Sequence, residues 1–332
     1  MLTGQEINAV LATVRYDGWH LERLREVFAP AELIHTTPED ADGIAAALGR
    51  VDVAVLAADL DERFLSAPKL NWVHCDHSGL NNSAKPEVLD SGLIVTGSAG
   101  RAAPALAQHA FFFALALTYD APGLVEAKSR HGWRVIPGYE DRRGLWGKTI
   151  GIVGLGETGR ATAELAKAFG MRVLAYRKHL GDPPATVDRL YCADRGDGLD
   201  ELLAESDVVV LSIRLTDATR HLIGEAQLKR MKRTAHLINL ARGPVVDEAA
   251  LVTALHEGTI AGAGLDVFEQ EPLPADAPIW DAPNVVITPH VTAEMPDLRA
   301  RSLDIISENV RRYRAGEPML NRLVAEDVYR GG

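Results

Sequence analysis

Hydrophobic and polar positions come in alternating blocks along this chain. Short apolar runs at 7–14, 33–35, 51–56, 71–75 and 93–96 read as strands. Between them, 19–28 and 38–48 read as amphipathic helices, the second with Pro38 near its start. The stretch 102–119 predicts one long apolar helix with Pro104 in its first turn. Phe111, Phe112 and Phe113 stand in a row there, which predicts burial on several sides. The alternation pauses over 123–147, an irregular stretch rich in Arg, Gly and Trp. It reads as an extended arm whose Trp133 and Trp146 suit a subunit contact, or as a packed intramolecular loop. From Thr149 the blocks resume, with strands expected at 150–153, 172–176, 208–211, 235–239, 261–266 and 285–288. Helices are expected at 157–169, at 247–256 with Asp247 as its N-cap, and at 296–315, ending near Gly316. Strands alternating with helices imply parallel sheets, so the fold class is α/β.

The length of 332 residues implies two domains rather than one. A hydrophobic share of 47% with 24% charged residues is ordinary for a soluble enzyme. The net charge of -11 argues against partners that need a positive surface, so neither nucleic acid nor an anionic membrane is expected. The two cysteines, Cys75 and Cys192, have no C-x-x-C spacing. No disulfide framework and no metal site is expected. The longest apolar run, 102–117, contains Gln108 and His109 and falls short of a membrane span. No basic segment followed by an apolar core opens the chain, so a cytoplasmic location is expected by default.

The most informative stretch is T-I-G-I-V-G-L-G-E-T-G, residues 149–159. Gly154, Gly156 and Gly159 give the spacing G-x-G-x-x-G between an expected strand and an expected helix. That is the setting a dinucleotide fingerprint requires. The first glycine permits the tight turn, the second lets the backbone approach a pyrophosphate, and the third lets helix pack on strand. The amides near Glu157 and Thr158 would sit at a helix N-terminus, which favours an anion. A second loop, Asp76-His77-Ser78-Gly79, follows a strand and either presents backbone amides to a ligand or is a plain polar turn. Three ionisable residues also follow strands: Arg242, Glu271 and His290. Ligands of an open parallel sheet bind outside the carboxyl ends of its strands. An arginine can hold a 2-oxo carboxylate and polarise the oxo group. A histidine can donate a proton as hydride arrives, and a neighbouring carboxylate stabilises the imidazolium. Taken singly, each also reads as an ordinary loop residue.

Four motifs in order resemble the D-isomer-specific 2-hydroxyacid dehydrogenases. They are L-W-G-K-T-I-G-I-V-G-L-G-E-T-G (145–159), L-I-N-L-A-R-G-P-V-V-D-E-A-A-L (237–251), G-L-D-V-F-E-Q-E-P-L-P (264–274) and T-P-H-V (288–291). The resemblance covers roughly 70–295, and the N-terminal part only by layout. It implies two Rossmann-like domains with the active site in the cleft between them. Residues 1–102 with 294–332 would form a flavodoxin-like substrate-binding domain, and 103–293 the dinucleotide-binding domain, with hinges near 102 and 294. It further implies that Arg242 binds substrate, that Glu271 rather than Glu269 pairs with the catalytic histidine, and that His290 is the proton donor. Leu240, Ala241 and Asp266 fall at cofactor-binding positions, Asp266 at one that contacts the nicotinamide carboxamide. Ser78 and Gly79 fall in the loop whose amides hold the substrate carboxylate. Homodimers are common in the family, which favours the arm reading.

Departures from the family pattern shape the cofactor expectation. Rossmann units that prefer NAD place an acid after the second strand, for the ribose 2′-hydroxyl. Here the place reads Ala175-Tyr176-Arg177-Lys178-His179, and Arg214 stands where the family often has proline. Arg177 and Arg214 suit a 2′-phosphate, so NADP is expected over NAD. Gln108, in Ala107-Gln108-His109, replaces a common glutamate, and Asn81 a common aspartate. The expected function is reduction of a small 2-oxo acid, of the glyoxylate, hydroxypyruvate or aryl-pyruvate kind, to the D-2-hydroxy acid. Formate and phosphite dehydrogenases share the scaffold, but phosphite dehydrogenases carry a lysine where Ser78 lies. Dinucleotide-sensing corepressors also share it; the acidic charge and lack of extensions speak against that role.

Overall fold

Strands form at the apolar runs and pair in parallel with their neighbours. The computed structural model describes residues 6–133, 138 and 144–331. The chain folds as two compact units, the first of Met1–Ala102 with Met295–Gly332, the second of Ala103–Glu294.

The first unit runs β1 (Ala9–Ala12), α1 (Gly18–Phe28), β2 (Glu32–His35), α2 (Ala41–Leu48), β3 (Val53–Leu56), α3 (Glu62–Leu65), β4 (Trp72–Cys75), α4 (Pro86–Asp90) and β5 (Ile94–Gly97). The sheet order is β2-β1-β3-β4-β5, a doubly wound arrangement. Both faces are covered, which is why these strands read as continuous apolar runs. Leu11, Ala54, Val73 and Cys75 pack under Ile44 and Phe64 on one face. Val10, Val53 and Trp72 pack on the other with Leu24, Phe28, Ile306 and Val310. The last two come from the long helix over Leu298–Ala315, which lies against α1 and stacks Tyr313 on Trp72 at 5.3 Å. Helix α2 starts at Ala41 rather than at Pro38, because Asp40 caps it by accepting from the Gly43 N–H at 2.9 Å. Helices α3 and α4 were not expected; each is too short to display a 3.6-residue period.

The second unit runs α5 (Ala103–Thr118), α6 (Ala121–Ser129), β6 (Thr149–Val153), α7 (Glu157–Ala168), β7 (Arg172–Arg177), β8 (Arg189–Cys192), α8 (Asp200–Glu205), β9 (Val208–Leu211), α9 (Glu225–Leu228), β10 (His236–Asn239), α10 (Glu248–His256), β11 (Gly262–Leu265) and β12 (Val285–Ile287). The long helix Leu298–Ala315 is α11. The parallel sheet has the order β12-β11-β10-β9-β6-β7-β8, which reverses direction between β6 and β9. Phe113 on α5 is buried against β11, where a Cβ at Gly264 would lie 2.5 Å from its ring. Phe111 is buried as well, stacked on Phe169, so the helix is covered on several sides as expected; Phe112, 49% exposed, departs from this. The expectation of irregular chain from 123 onward is also corrected. α6 is helical there, with Pro122 in its first turn and Asp120 accepting from the Gly123 N–H at 3.1 Å. Residues 134–137 and 139–143 of the expected arm lie outside the described residues. Among the described residues, no single helix is long and apolar enough to cross a membrane. α5 and α6 together pass by length and composition but bend 58° at their break.

Candidate active site

The glycine loop sits where the second sheet reverses direction. Gly154 follows β6 with φ +101°, and a Cβ on it would lie 2.5 Å from the Ser212 carbonyl oxygen beyond β9. Ser212 Oγ donates back to the Gly154 carbonyl at 2.7 Å. A Cβ on Gly159 would lie 2.1 Å from that same carbonyl oxygen, so α7 rests directly on the strand end. Gly156 differs, since a Cβ there would meet nothing within 4 Å. The protein's own packing does not require glycine at that position, which leaves the backbone open to close approach by a ligand. Gly156 is also the N-cap of α7, and no side chain caps the first turn around Glu157 and Thr158. These residues fit a dinucleotide. Gly159→Ala is therefore expected to cost about 1–3 kcal/mol of stability through overpacking, seen as a lower Tm. Gly156→Ala should leave Tm nearly unchanged and weaken NADPH binding in a fluorescence titration.

The two expected cations follow β7 and β9, the neighbours of β6 in the sheet. Arg177 ends β7, donating from Nε to the His179 carbonyl at 2.6 Å and from Nη2 to the Leu180 carbonyl at 2.8 Å. Its guanidinium is thus held against its own turn, beside exposed Lys178 and His179. Arg214 follows β9, is exposed, and its carbonyl accepts from Thr219 Oγ1 at 2.7 Å. Leu240 and Ala241 follow β10 and are both buried.

The three ionisable residues come from β10, β11 and β12, which are neighbours in the sheet. Beyond the strand ends the backbone stays stitched: the Asp266 N–H donates to the Asn239 carbonyl at 3.2 Å and the His290 N–H to the Asp266 carbonyl at 2.9 Å. Asn239 shapes the arginine loop, accepting at Oδ1 from the Ala241 N–H at 3.1 Å and donating from Nδ2 to the Arg242 carbonyl at 3.0 Å. A Cβ on Gly243 would lie 1.8 Å from the Phe268 carbonyl carbon, so this loop abuts the loop that carries Glu271. Glu271 is fixed by the Phe268 N–H, which donates to Oε1 at 2.9 Å. Its other oxygen lies 2.6 Å from Nδ1 of His290. With Nδ1 so held, the proton His290 can give away is the one on Nε2. Glu269 lies elsewhere, its Oε1 2.7 Å from Nε2 of His221. His290 has φ +52°, a left-handed conformation in a non-glycine residue.

Asp266 holds that loop in shape. It is 1% exposed, and both oxygens are engaged. Oδ1 accepts from Thr288 Oγ1 at 2.6 Å and the Val291 N–H at 3.0 Å, and Oδ2 from Thr292 Oγ1 at 2.6 Å and the Thr292 N–H at 3.3 Å. The carboxylate expected to contact a nicotinamide carboxamide thus also anchors residues 288–292, through four donors. His109 on α5 joins this network, its Nε2 3.3 Å from Thr288 Oγ1, and burial pushes its pKa down. His109, Thr288 and Thr292 escaped the sequence reading; the doubled threonine flanking His290 is the only local signal. Ser78 and Gly79 belong to the first unit, in the turn after β4, with Ser78 Oγ donating to the Ser98 carbonyl at 3.3 Å. Among the described residues no cluster of three or more His, Cys, Asp or Glu could hold a metal.

A dinucleotide cradle at the reversal of a parallel sheet, with a carboxylate–imidazole pair and an arginine at the same sheet edge, defines a nicotinamide-dependent oxidoreductase. Residues 111–292 match the family described as D-isomer specific 2-hydroxyacid dehydrogenase, NAD binding domain. A glyoxylate reductase of Korarchaeum cryptofilum is 40% identical over 286 residues, covering 83% of this chain and 82% of its own. Among solved structures, a D-isomer specific 2-hydroxyacid dehydrogenase of Xanthobacter autotrophicus Py2, in complex with NADPH and MES, superposes with TM-score 0.81. It is 28% identical, with 96% of this chain and 98% of that one covered. An NADPH-dependent glyoxylate/hydroxypyruvate reductase of Sinorhizobium meliloti, in complex with NADP and sulfate, gives TM-score 0.78 at 25% identity, with coverage of 96% and 98%. The chain belongs to the D-isomer specific 2-hydroxyacid dehydrogenases, as an enzyme that uses NAD(P).

Proposed function

We propose that the protein reduces a small 2-oxo acid of the glyoxylate or hydroxypyruvate kind to its D-2-hydroxy acid. The 2.6 Å contact between Glu271 and His290 Nδ1 carries the reading, because it leaves Nε2 as proton donor. A nicotinamide dinucleotide held at the Gly154–Gly159 loop would supply the hydride for the carbonyl carbon. His290 then gives its Nε2 proton to the carbonyl oxygen, and Glu271 stabilises the imidazolium before transfer. Arg242 holds the carboxylate and polarises the oxo group. Within the first unit, the Ser78 and Gly79 amides are the carboxylate donors of this reading. The relatives named glyoxylate reductase support this substrate class.

NADPH is the preferred cofactor on this reading. Arg177 and Arg214 flank the place of the 2′-phosphate, and residues 175–179 hold no acid to bind a free 2′-hydroxyl. The test is a panel of glyoxylate, hydroxypyruvate, pyruvate and phenylpyruvate, each with NADPH and NADH. Rapid NADPH oxidation with one acid, and slower oxidation of NADH at matched concentration, is expected. Equal or better turnover with NADH would defeat the cofactor assignment, and no oxidation with any acid the substrate assignment.

A homodimer accompanies this reading. Phe112 and Val125 line a shallow apolar groove between α5 and α6, and Val125, Trp133 and Trp146 are each more than 60% exposed. Apolar surface of this kind is what a second copy would cover. A monomer mass in sedimentation equilibrium at micromolar concentration would rule it out.

A further inference from the structure

The first unit carries a part-buried ionic centre that the proposed reaction leaves unused. Asp76 is the first residue after β4 and Arg101 follows β5. Arg101 Nη1 donates to Asp76 Oδ1 at 2.8 Å, with side chains 16% and 9% exposed. Ser98 Oγ also donates to Oδ1, at 3.0 Å, and Tyr16 Oη donates to Oδ2 at 2.8 Å. Arg101 Nη1 reaches on to Ser302 Oγ on α11, at 2.9 Å, across 201 positions of sequence. Behind Ser98 stands His74, fully buried, with Nε2 2.9 Å from Ser98 Oγ and Nδ1 3.0 Å from Thr96 Oγ1. Burial pushes His74 down to about 4, so at neutral pH the imidazole adds no charge to the centre. Burial and the nearby Asp76 carboxylate push Tyr16 up, so it stays a donor.

Stability alone is a weak reason for such a centre. A buried ion pair loses about as much in desolvation as it gains in attraction, and apolar groups of the same volume generally serve as well. Its placement is more telling. It joins the connections after β1, β4 and β5 to α11, all at the base of the turn 76–79. That turn is bound to the same centre through its backbone. The Ser98 N–H donates to the His77 carbonyl at 2.9 Å, and the Asp76 N–H to the Leu56 carbonyl at 2.7 Å. A Cβ on Gly97 would lie 2.9 Å from the His77 carbonyl oxygen, so the two connections touch backbone to backbone. Any shift of Asp76 is therefore passed to Ser78 and Gly79.

We propose that the Asp76–Arg101 pair, braced by Tyr16 and Ser302, positions the Ser78–Gly79 turn for the carboxylate of the 2-oxo acid. This rests on the substrate reading above. Both members act through the turn and are positioning residues, not catalytic ones. Position matters at this scale, since a displacement of about 1 Å at a binding group costs up to about 100-fold.

The test is steady-state kinetics of Asp76→Asn and Tyr16→Phe, each with varied oxo acid and varied NADPH, using the best acid of the panel. Asp76→Asn keeps the shape and loses the charge; Tyr16→Phe removes one brace. The expected result is a rise of about tenfold or more in KM for the acid in Asp76→Asn, and a smaller rise in Tyr16→Phe. KM and Kd for NADPH should stay within about twofold in both. A merely structural role would lower Tm and the active fraction while leaving KM for the acid unchanged, and that outcome overturns the proposal. If Asp76→Asn does not fold, an unchanged KM for the acid in Tyr16→Phe overturns it on its own. A wild-type protein inactive with every acid would instead sink the substrate reading.

Discussion

His290→Ala is expected to lower kcat for the 2-oxo acid by about 100- to 10,000-fold, the usual contribution of a positioned proton donor. The geometry makes the loss specific. Nδ1 of His290 is 2.6 Å from Glu271, so only Nε2 is left to deliver a proton. The ring sits on a loop whose shape is set elsewhere, by the four hydrogen bonds to Asp266. Removing the imidazole therefore leaves the loop standing. The side chain is 45% exposed, so little packing is lost and Tm should hardly move. The Kd for NADPH should stay near wild type, because the glycine cradle follows a different strand. Glu271→Gln should lower kcat in the same direction by less, since the imidazole remains and only the stabilisation of its charged form is lost. Saturating steady-state assays with both variants decide the matter. Wild-type turnover in His290→Ala would remove the histidine from the mechanism.

How much of this was legible in the sequence depended on whether the signal was local. β9 was bounded at the right residues because Val208, Val209, Val210 and Leu211 are all buried in a strand covered on both faces. The start of α10 was legible because Asp247 accepts from the Ala250 N–H three residues on, at 3.0 Å. β8 was missed, as an edge strand whose first residue, Arg189, pairs outward with Glu201 and Glu205. α6 was missed because it buries no residue and so shows no apolar stripe, although Pro122 fits its first turn. In the site, the glycine spacing and the three strand-end residues could be seen along the chain. That Glu271 and not Glu269 faces His290 came only from resemblance, as the two acids are two residues apart in one acidic loop. The anchoring of residues 288–292 by Asp266 and the centre at Asp76 could not be seen. Their partners lie 22 to 26 and 22 to 60 positions away, and nothing local marks a buried carboxylate as anchor or ligand.

Arg242→Gln should lower kcat/KM for the oxo acid by about 100- to 1,000-fold, the range for losing one preorganised donor to a developing oxyanion. On the proposed mechanism two losses combine in it. The guanidinium can grip a carboxylate with two parallel N–H donors, and the same charge stabilises the oxygen that becomes negative as hydride arrives. The loop makes the arginine's position firm: Asn239 holds the backbone at both Ala241 and Arg242, and Nη1 donates to the Ala241 carbonyl at 2.7 Å. Gly243, pressed against Phe268, prevents the loop from backing away. Arg242→Lys keeps the charge but not the planar fork, so it should recover only part of the loss. If Arg242 serves only the ground-state carboxylate, KM will rise and kcat will stay. If it also polarises the oxo group, kcat will fall in both variants, and further in Arg242→Gln. An unchanged kcat/KM in Arg242→Gln would move the acid-binding role off this loop altogether.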